Sequence, residues 1–158
     1  MSSDGQPLIE PQDLSGLKTT IVYAQWHPEI ISALVANAKA ELRRWNITAV
    51  QEILAPGSFE LPLLAQSAAE SDVDIVLTFG VIIRGETPHF EYVSQAATHG
   101  ILQASLKTGK PIGFGVLTVD TLAQAQDRSG LPGSIENKGQ QTVQAALQTY
   151  VSQKIIHS

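Results

Sequence analysis

Residues 79–90 read Phe79-Gly80-Val81-Ile82-Ile83-Arg84-Gly85-Glu86-Thr87-Pro88-His89-Phe90, and this segment joins a strand, a turn and the start of a helix. Its β-branched apolar run predicts a buried strand that stops at Arg84. Thr87 is a favourable N-cap and Pro88 a favourable first helical residue, so we expect a helix to begin there. His89 would then lie at the positive end of the helix dipole, which favours a neutral imidazole that accepts a proton.

The rest of the chain continues this alternation of short β-branched runs and longer helical patterns. Strands are predicted at residues 19–25, 48–54, 75–83 and 112–117. Helices are predicted from Pro28 to Asn46, from Pro62, from Pro88 to Gly109, from a Thr121 cap to Arg128, and from Asn137 through Tyr150. Because parallel neighbours need crossover connections, this order predicts a three-layer α/β/α sandwich with a four-stranded parallel sheet, a flavodoxin-like layout.

Four loops follow the carboxyl ends of the predicted strands, which is where open α/β sheets bind ligands. These loops are residues 26–27, 56–60, 84–89 and 118–120. Because all four would lie at one edge of the sheet, we expect them to converge on one crevice. A strand end that leads into a helix N-terminus, as at residues 83–89, is also a typical anion site.

Aromatic and polar side chains near this crevice suit a planar ligand that carries hydroxyl groups. Trp26 would stack on a planar heterocycle, with Phe114 as a second apolar wall, and its position after the first strand favours this role. Taken without their positions, both residue types are more typical of a protein core. The turn Ser58-Phe59-Glu60 offers N–H groups, a hydroxyl and a carboxylate to a polyol, and it is also typical of a capped turn.

A phosphate group has two candidate sources of contacts in the sequence. The N–H groups of Gly85-Glu86-Thr87 and the Thr87 hydroxyl lie at a predicted helix start, with the Glu86 side chain expected to point away. Arg128 and Lys138 bracket a Gly/Pro-rich kink at residues 129–136 and would supply positive charge. Taken alone, these two cations are more typical of solvated surface charges.

Composition excludes several other classes of protein. The 158 residues suffice for one domain, and the absence of cysteine excludes thiol chemistry and fits a reducing cytosol. A net charge of −5 without a basic run argues against nucleic-acid or membrane-surface binding. We find no metal-ligand spacing and no nucleotide-binding glycine fingerprint, and therefore expect no metal site. Residues 1–16 are polar, resemble neither a signal peptide nor a membrane span, and are predicted to form a flexible arm before a domain at 17–158.

Several separated motifs, in order and at consistent spacing, resemble those of the 6,7-dimethyl-8-ribityllumazine synthase family. They are Trp26-His27, Pro56-Gly57-Ser58-Phe59-Glu60-Leu61-Pro62, Gly80 through His89, Gly115-Val116-Leu117-Thr118, Asp127-Arg128-Ser129-Gly130 and Asn137-Lys138-Gly139. The resemblance runs from about Leu17 to the end of the chain. It implies the penultimate step of riboflavin synthesis, in which two small molecules, 5-amino-6-(D-ribitylamino)uracil and 3,4-dihydroxy-2-butanone 4-phosphate, condense to the lumazine, phosphate and water without a cofactor.

The resemblance also implies a role for each candidate residue. The residues that would bind the ribitylaminouracil are Trp26, Ser58, Phe59, Glu60, Val81, Ile82, Ile83 and Phe114. The residues that would bind or lie near the phosphate are Gly85, Glu86, Thr87, Arg128 and Lys138. His89 would be the catalytic proton-transfer group.

An oligomer follows from the same resemblance, because residues of the fourth strand and of the kink would reach a neighbouring subunit's site. The kink at 130–137 is about two residues longer than in icosahedral relatives, and its Pro and Gly change its path, so a free homopentamer in the cytoplasm is expected. A non-catalytic lumazine- or flavin-binding protein is the alternative. A phospho-acceptor receiver domain is disfavoured because Tyr23-Ala24-Gln25 supplies no acid.

Overall fold

A computed structural model describes residues 4–158, so residues 1–3 of the predicted arm lie outside the described part of the chain. The strands are β1 (Lys18–Ala24), β2 (Ala49–Ala55), β3 (Ile75–Ile83) and β4 (Ile112–Val119). The helices are α1 (Pro28–Arg44), α2 (Leu61–Ala69), α3 (His89–Thr108), α4 (Leu122–Arg128) and α5 (Lys138–His157), with a 3₁₀ turn at Ser58–Glu60 before α2. Among the described residues, no helix combines the length and apolar character needed to cross a bilayer.

The sheet is parallel throughout, with strand order β2-β1-β3-β4. One apolar cluster packs α1 and α5 against one face of the sheet, and a second cluster packs α2 and α3 against the other. The predicted three-layer α/β/α sandwich with four parallel strands is therefore confirmed. β3 is buried along nearly its whole length because it lies inside the sheet and both of its faces are covered, as its continuous apolar run predicts.

The ends of several elements differ from the sequence prediction by one or two residues, and α5 continues to His157, seven residues beyond the predicted Tyr150. The largest consequence is at α3, which begins at His89 with Pro88 in the cap position and without a side-chain cap. The prediction of Thr87 as the N-cap is therefore wrong by one residue, although the His89 N–H still donates to Thr87 Oγ1 at 3.5 Å. Pro88 has helical dihedral angles and occupies the cap position immediately before the first helical residue.

Residues 4–16 form no helix or strand, yet part of this segment packs on the domain. The Leu14 nitrogen donates to the Trp45 carbonyl at 3.0 Å, and Ile9 and Leu14 contact the cluster beneath α1 and α5. Closer to the N-terminus, the Gln6 side chain accepts a hydrogen bond from Gln141 of α5. The flexibility of residues 1–16 and the domain boundary at residue 17 stay predictions.

A buried carboxylate joins α1 to α5. Glu41 is 2% exposed and accepts hydrogen bonds from the Trp45 indole at 2.9 Å, from Gln140 and Gln144 of α5, and from Arg44. Burial by itself would raise the pKa of the Glu41 carboxyl, but the four donors outweigh it and hold that pKa below its usual value. The ionised form is therefore the one that fits this interface.

Glu41→Ala is expected to lower the free energy of unfolding by about 2 kcal/mol or more, because buried donors lose their acceptor. Urea unfolding at neutral pH measures the loss, with Glu70→Ala, at the exposed residue that follows α2, as the control. Since the folded pKa is depressed, this stabilisation is present above the ordinary glutamate pKa and disappears as pH falls through the lower folded value. Glu41→Gln should remove this part of the acid dependence; an unchanged acid profile would contradict the assignment.

Candidate active site

The carboxyl ends of β1, β2 and β3 open onto a cavity of about 390 Å³. The predicted site residues that line it are Trp26, Ser58, Phe59, Glu60, Val81, Ile82, Ile83, Gly85, Thr87 and His89. The loops at 26–27, 56–60 and 84–89 therefore meet, as the parallel topology requires. The fourth predicted loop, residues 118–120, does not line this cavity, and the prediction of four loops around one crevice is wrong on that point.

Two aromatic side chains stand open to solvent at the cavity. Trp26 is 66% exposed and Phe59 is 62% exposed, so the core interpretation of Trp26 does not apply. The turn at Gly57 brings polar groups close to the indole: a Cβ on Gly57 would lie 3.3 Å from Glu60 Oε2 and 3.4 Å from Trp26 Nε1. A flat ring and a carboxylate therefore border the same part of the cavity, which suits a planar ligand with hydrogen-bonding edges.

Ser58 is held beneath this turn by close packing against β3. It is 7% exposed, and a Cβ on Gly80 would lie only 2.5 Å from Ser58 Oγ and 3.0 Å from Leu61 Cδ1. Glycine at position 80 thus allows the start of α2 to approach the strand. The consequence is that the Ser58 hydroxyl occupies the wall of the cavity rather than its rim.

The loop between β3 and α3 presents unpaired backbone groups to solvent. Within residues 4–158, the N–H groups of Gly85, Glu86 and Thr87 donate to no protein acceptor. Gly85 and Thr87 line the cavity, whereas Glu86 does not. That the Glu86 side chain points away from a bound anion stays a prediction. Free N–H groups beside a hydroxyl at the start of the 20-residue helix α3 form a suitable anion site.

The other predicted residues lie elsewhere in the subunit. Phe114, 45% exposed on edge strand β4, and Lys138 line a second cavity of about 610 Å³ with α5 and residues 4–9. Lys138 Nζ lies 3.0 Å from Glu136 Oε2, so its charge is paired within the kink. Arg128 ends α4, lines neither cavity, and donates to the Gln124 carbonyl at 2.9 Å. A single subunit therefore does not bring these three residues to Trp26 and His89.

Four residues that line the first cavity had no predicted binding role: His27 and Gly57, which lie within the predicted loops, and Phe90 and Val93 of α3. Val93 and Phe90 were assigned only to the apolar face of α3, although Val93 lies four residues after His89 and therefore shares its face. His27 caps α1 in the left-handed region with φ 58°, which no local rule for a residue before proline predicts. Among residues 4–158, no group of three His, Asp or Glu side chains is placed to hold a metal ion.

Together, the parallel sandwich and this crevice define an α/β protein that binds a small molecule at the carboxyl edge of its sheet. The family model for 6,7-dimethyl-8-ribityllumazine synthase matches residues 16–154. The chain belongs to the 6,7-dimethyl-8-ribityllumazine synthase family.

Similar proteins with this name are found in several organisms. The protein of Kineococcus radiotolerans is 51% identical over 152 residues, which are 96% of this chain and 94% of that relative. The protein of Clavibacter michiganensis subsp. michiganensis is 51% identical over 158 residues, covering 99% and 98% of the two chains. The protein of Streptomyces coelicolor is 43% identical over 149 residues, covering 94% and 92%.

Gly80→Ala is expected to lower the free energy of unfolding by about 1–3 kcal/mol, because the added methyl group meets Ser58 Oγ and Leu61 Cδ1. Ser58→Ala removes the nearest of these atoms, so Gly80→Ala should cost clearly less in that background. Urea unfolding of the four proteins measures the difference. Gly85→Ala is the control, since nothing lies within 4 Å of a Cβ there; equal costs of Gly80→Ala in both backgrounds would contradict the packing argument.

Proposed function

We propose that this protein catalyses the condensation of 5-amino-6-(D-ribitylamino)uracil with 3,4-dihydroxy-2-butanone 4-phosphate to 6,7-dimethyl-8-ribityllumazine, in riboflavin biosynthesis. The observation that carries the proposal is the family match over residues 16–154 together with a cavity lined by the motif residues of that family. The reaction needs no cofactor, and the cytoplasmic location expected from the sequence stays a prediction.

The ribitylaminouracil would occupy the open part of the 390 Å³ cavity. Its ring would stack on Trp26, whose indole is exposed there, and its edge would meet the backbone of Val81, Ile82 and Ile83 at the end of β3. Ser58, Phe59 and Glu60 would hold the ribityl chain and the ring. These assignments are supported by the placement of all these residues on one cavity wall, beside the turn at Gly57.

The butanone phosphate would lie at the start of α3. Its phosphate would accept hydrogen bonds from the free N–H groups of residues 85–87 and from the Thr87 hydroxyl, with the positive end of the helix dipole beneath it. Glu86 would contribute its backbone only. Arg128 would supply the counter-charge from a neighbouring subunit, with Lys138 close to it.

The chemistry divides between proton transfer and positioning. The 5-amino nitrogen attacks the ketone and water leaves to form an imine; a proton is then lost and phosphate departs with the bonding electron pair. Departure of phosphate leaves an enol at the hydroxyl-bearing carbon, and this enol tautomerises to a new carbonyl. The ribitylamino nitrogen finally attacks that carbonyl carbon, and a second water leaves as the ring closes. His89, exposed at the cavity rim, would transfer these protons. One such group contributes about 10²- to 10⁴-fold, and holding two substrates together supplies much of the rest.

The purified protein should form fluorescent lumazine when both substrates are mixed with it, and EDTA should leave the rate unchanged. His89→Ala should lower kcat by about one to three orders of magnitude with little change in ligand affinity, because acid–base help is lost. The rate of lumazine formation measures both effects. Unchanged turnover would remove His89 from the mechanism, and binding of lumazine without turnover by the parent would favour the non-catalytic alternative.

Riboflavin or a lumazine analogue should quench the fluorescence of Trp26, because the two rings would stack. Trp45 supplies an internal control: it is 1% exposed and its indole donates to Glu41 in the core. Fluorescence titration of Trp26→Phe and Trp45→Phe separates the two contributions. Equal quenching and equal affinity in the parent and Trp26→Phe would contradict the stacking role.

The proposed site is shared between subunits of a homopentamer. The support is the separation of the candidate residues: Trp26 and His89 lie on one cavity, whereas Phe114 and Lys138 lie on another. A cyclic, head-to-tail interface brings two different surfaces together, and can therefore join the cavity of Trp26 and His89 in one subunit to the cavity of Phe114 and Lys138 in its neighbour. The kink folds on itself, with Glu136 N–H donating to the Asp127 carbonyl at 2.8 Å, and this longer path would obstruct contacts between rings.

Light scattering should therefore give the mass of five subunits. At butanone phosphate concentrations well below the KM of Arg128→Ala, His89→Ala mixed with Arg128→Ala should regain activity. In randomly mixed rings at equal ratio, about a quarter of the sites combine a native His89 with a native Arg128 from the neighbour. Each variant alone is the control, and Arg128→Ala alone should chiefly raise the KM for the butanone phosphate. A mass near one subunit or near sixty, or no recovery after subunit exchange, would refute the shared pentamer.

A further inference from the structure

Arg84 is the first residue after β3, and its side chain contacts two other segments around the cavity. Its Nε donates to Asp120 Oδ1 at 2.8 Å in the turn after β4, and a terminal guanidinium nitrogen pairs with Glu91 in the first turn of α3. The guanidinium carbon also lies 4.3 Å from the centre of the Phe90 ring. The Arg84 backbone is anchored too, since its N–H donates to the Val119 carbonyl at 2.9 Å.

The loop of residues 85–88, which Arg84 spans, makes few other hydrogen bonds to the described part of the protein. Within the described residues, the N–H groups at 85–87 have no protein acceptor, and the Thr87 hydroxyl is 3.5 Å from the His89 nitrogen. The ion pair between Arg84 and Glu91 connects the start of this loop to the first turn of α3. His89 lies between the two ends, so its position depends on this closure.

The same guanidinium is also connected to Arg128 at the end of α4. Asp120 N–H donates to the Gln124 side chain at 2.7 Å, and the Gln124 carbonyl accepts from Arg128 at 2.9 Å. A continuous path of hydrogen bonds thus runs from the first turn of α3 through Arg84 to the end of α4. Lysine would not replace arginine here, because only the planar guanidinium bonds two carboxylates while it stacks on a ring.

We propose that Arg84 is a positioning residue that holds residues 85–88 and the first turn of α3 against the end of β4, and thereby sets the place of His89. The inference rests on the proposed function. Arg84 contacts the loop and not the reacting atoms: it does not line the cavity. The Arg84 hydrogen bond lowers the pKa of Glu91, so the pair stays ionised at neutral pH. Because both ion pairs are exposed, they add little to global stability.

Arg84→Ala and Arg84→Lys should each lower kcat by about 10- to 100-fold, because a small displacement of a catalytic group is costly. The Kd of riboflavin, measured by fluorescence titration, should change by less than about three-fold, since the uracil wall is untouched. The urea midpoint should stay near that of the parent. Lys18→Ala is the matched control. It removes a cation from an exposed ion pair with Asp72, at the amino ends of the strands and so away from the cavity.

A double-mutant cycle with His89→Ala separates positioning from other roles. If Arg84 acts through His89, Arg84→Ala should cost several-fold less in the His89→Ala background than in the parent. Equal cost in both backgrounds, or unchanged kcat in Arg84→Lys, would overturn the proposal. Inhibition by inorganic phosphate provides another readout: a ten-fold weaker phosphate constant with normal kcat would make Arg84 a phosphate ligand instead, which also overturns it. Inactivity of the parent would count against the proposed function alone.

Discussion

The parallel direction of all four strands is the constraint on which the remaining features depend. Because β1, β2 and β3 end at the same edge, the loops that follow them share one cavity, and because β3 pairs with β4 up to Ile83 and Val119, the residues after both strands are neighbours. Each strand end is followed by a loop and a helix start, so backbone N–H groups and helix dipoles are concentrated there. An antiparallel pair would send these loops to opposite ends of the sheet.

Strand order explains why the candidate residues fall into two groups. β4 is an edge strand, so Phe114 lies at the side of the sheet rather than above its carboxyl end. The kink places Lys138 on that same side, at the start of α5. The proposed cyclic assembly would turn this separation into a working arrangement, because the side of one subunit would face the cavity of the next. Catalysis in the proposed pentamer then depends on an interface as well as on the fold.

Two charged networks illustrate how burial changes the role of an ion. Glu41 is enclosed, accepts four hydrogen bonds and links α1 to α5, so its loss affects the stability of the whole domain. Arg84 is about half exposed, and water weakens each of its ion pairs. Its geometry still matters, because a planar group that contacts two segments restricts a loop with few hydrogen bonds of its own. The first network stabilises the domain, and the second orients the loop.

The sequence by itself determined the four strands, the parallel sandwich, and the meeting of the loops that contain Trp26, Ser58 and His89. These features follow from local periodicity and from the rule that parallel strands have their carboxyl ends at the same edge of the sheet. Tertiary structure alone decided that Phe114 and Lys138 lie on a separate cavity, that His27 takes a left-handed conformation, and that Arg84 joins Glu91 to Asp120. The physical reason is the separation along the chain of the residues that interact. Local periodicity indicates which face of an element is buried. These contacts depend instead on strand order and on pairs of side chains from different elements.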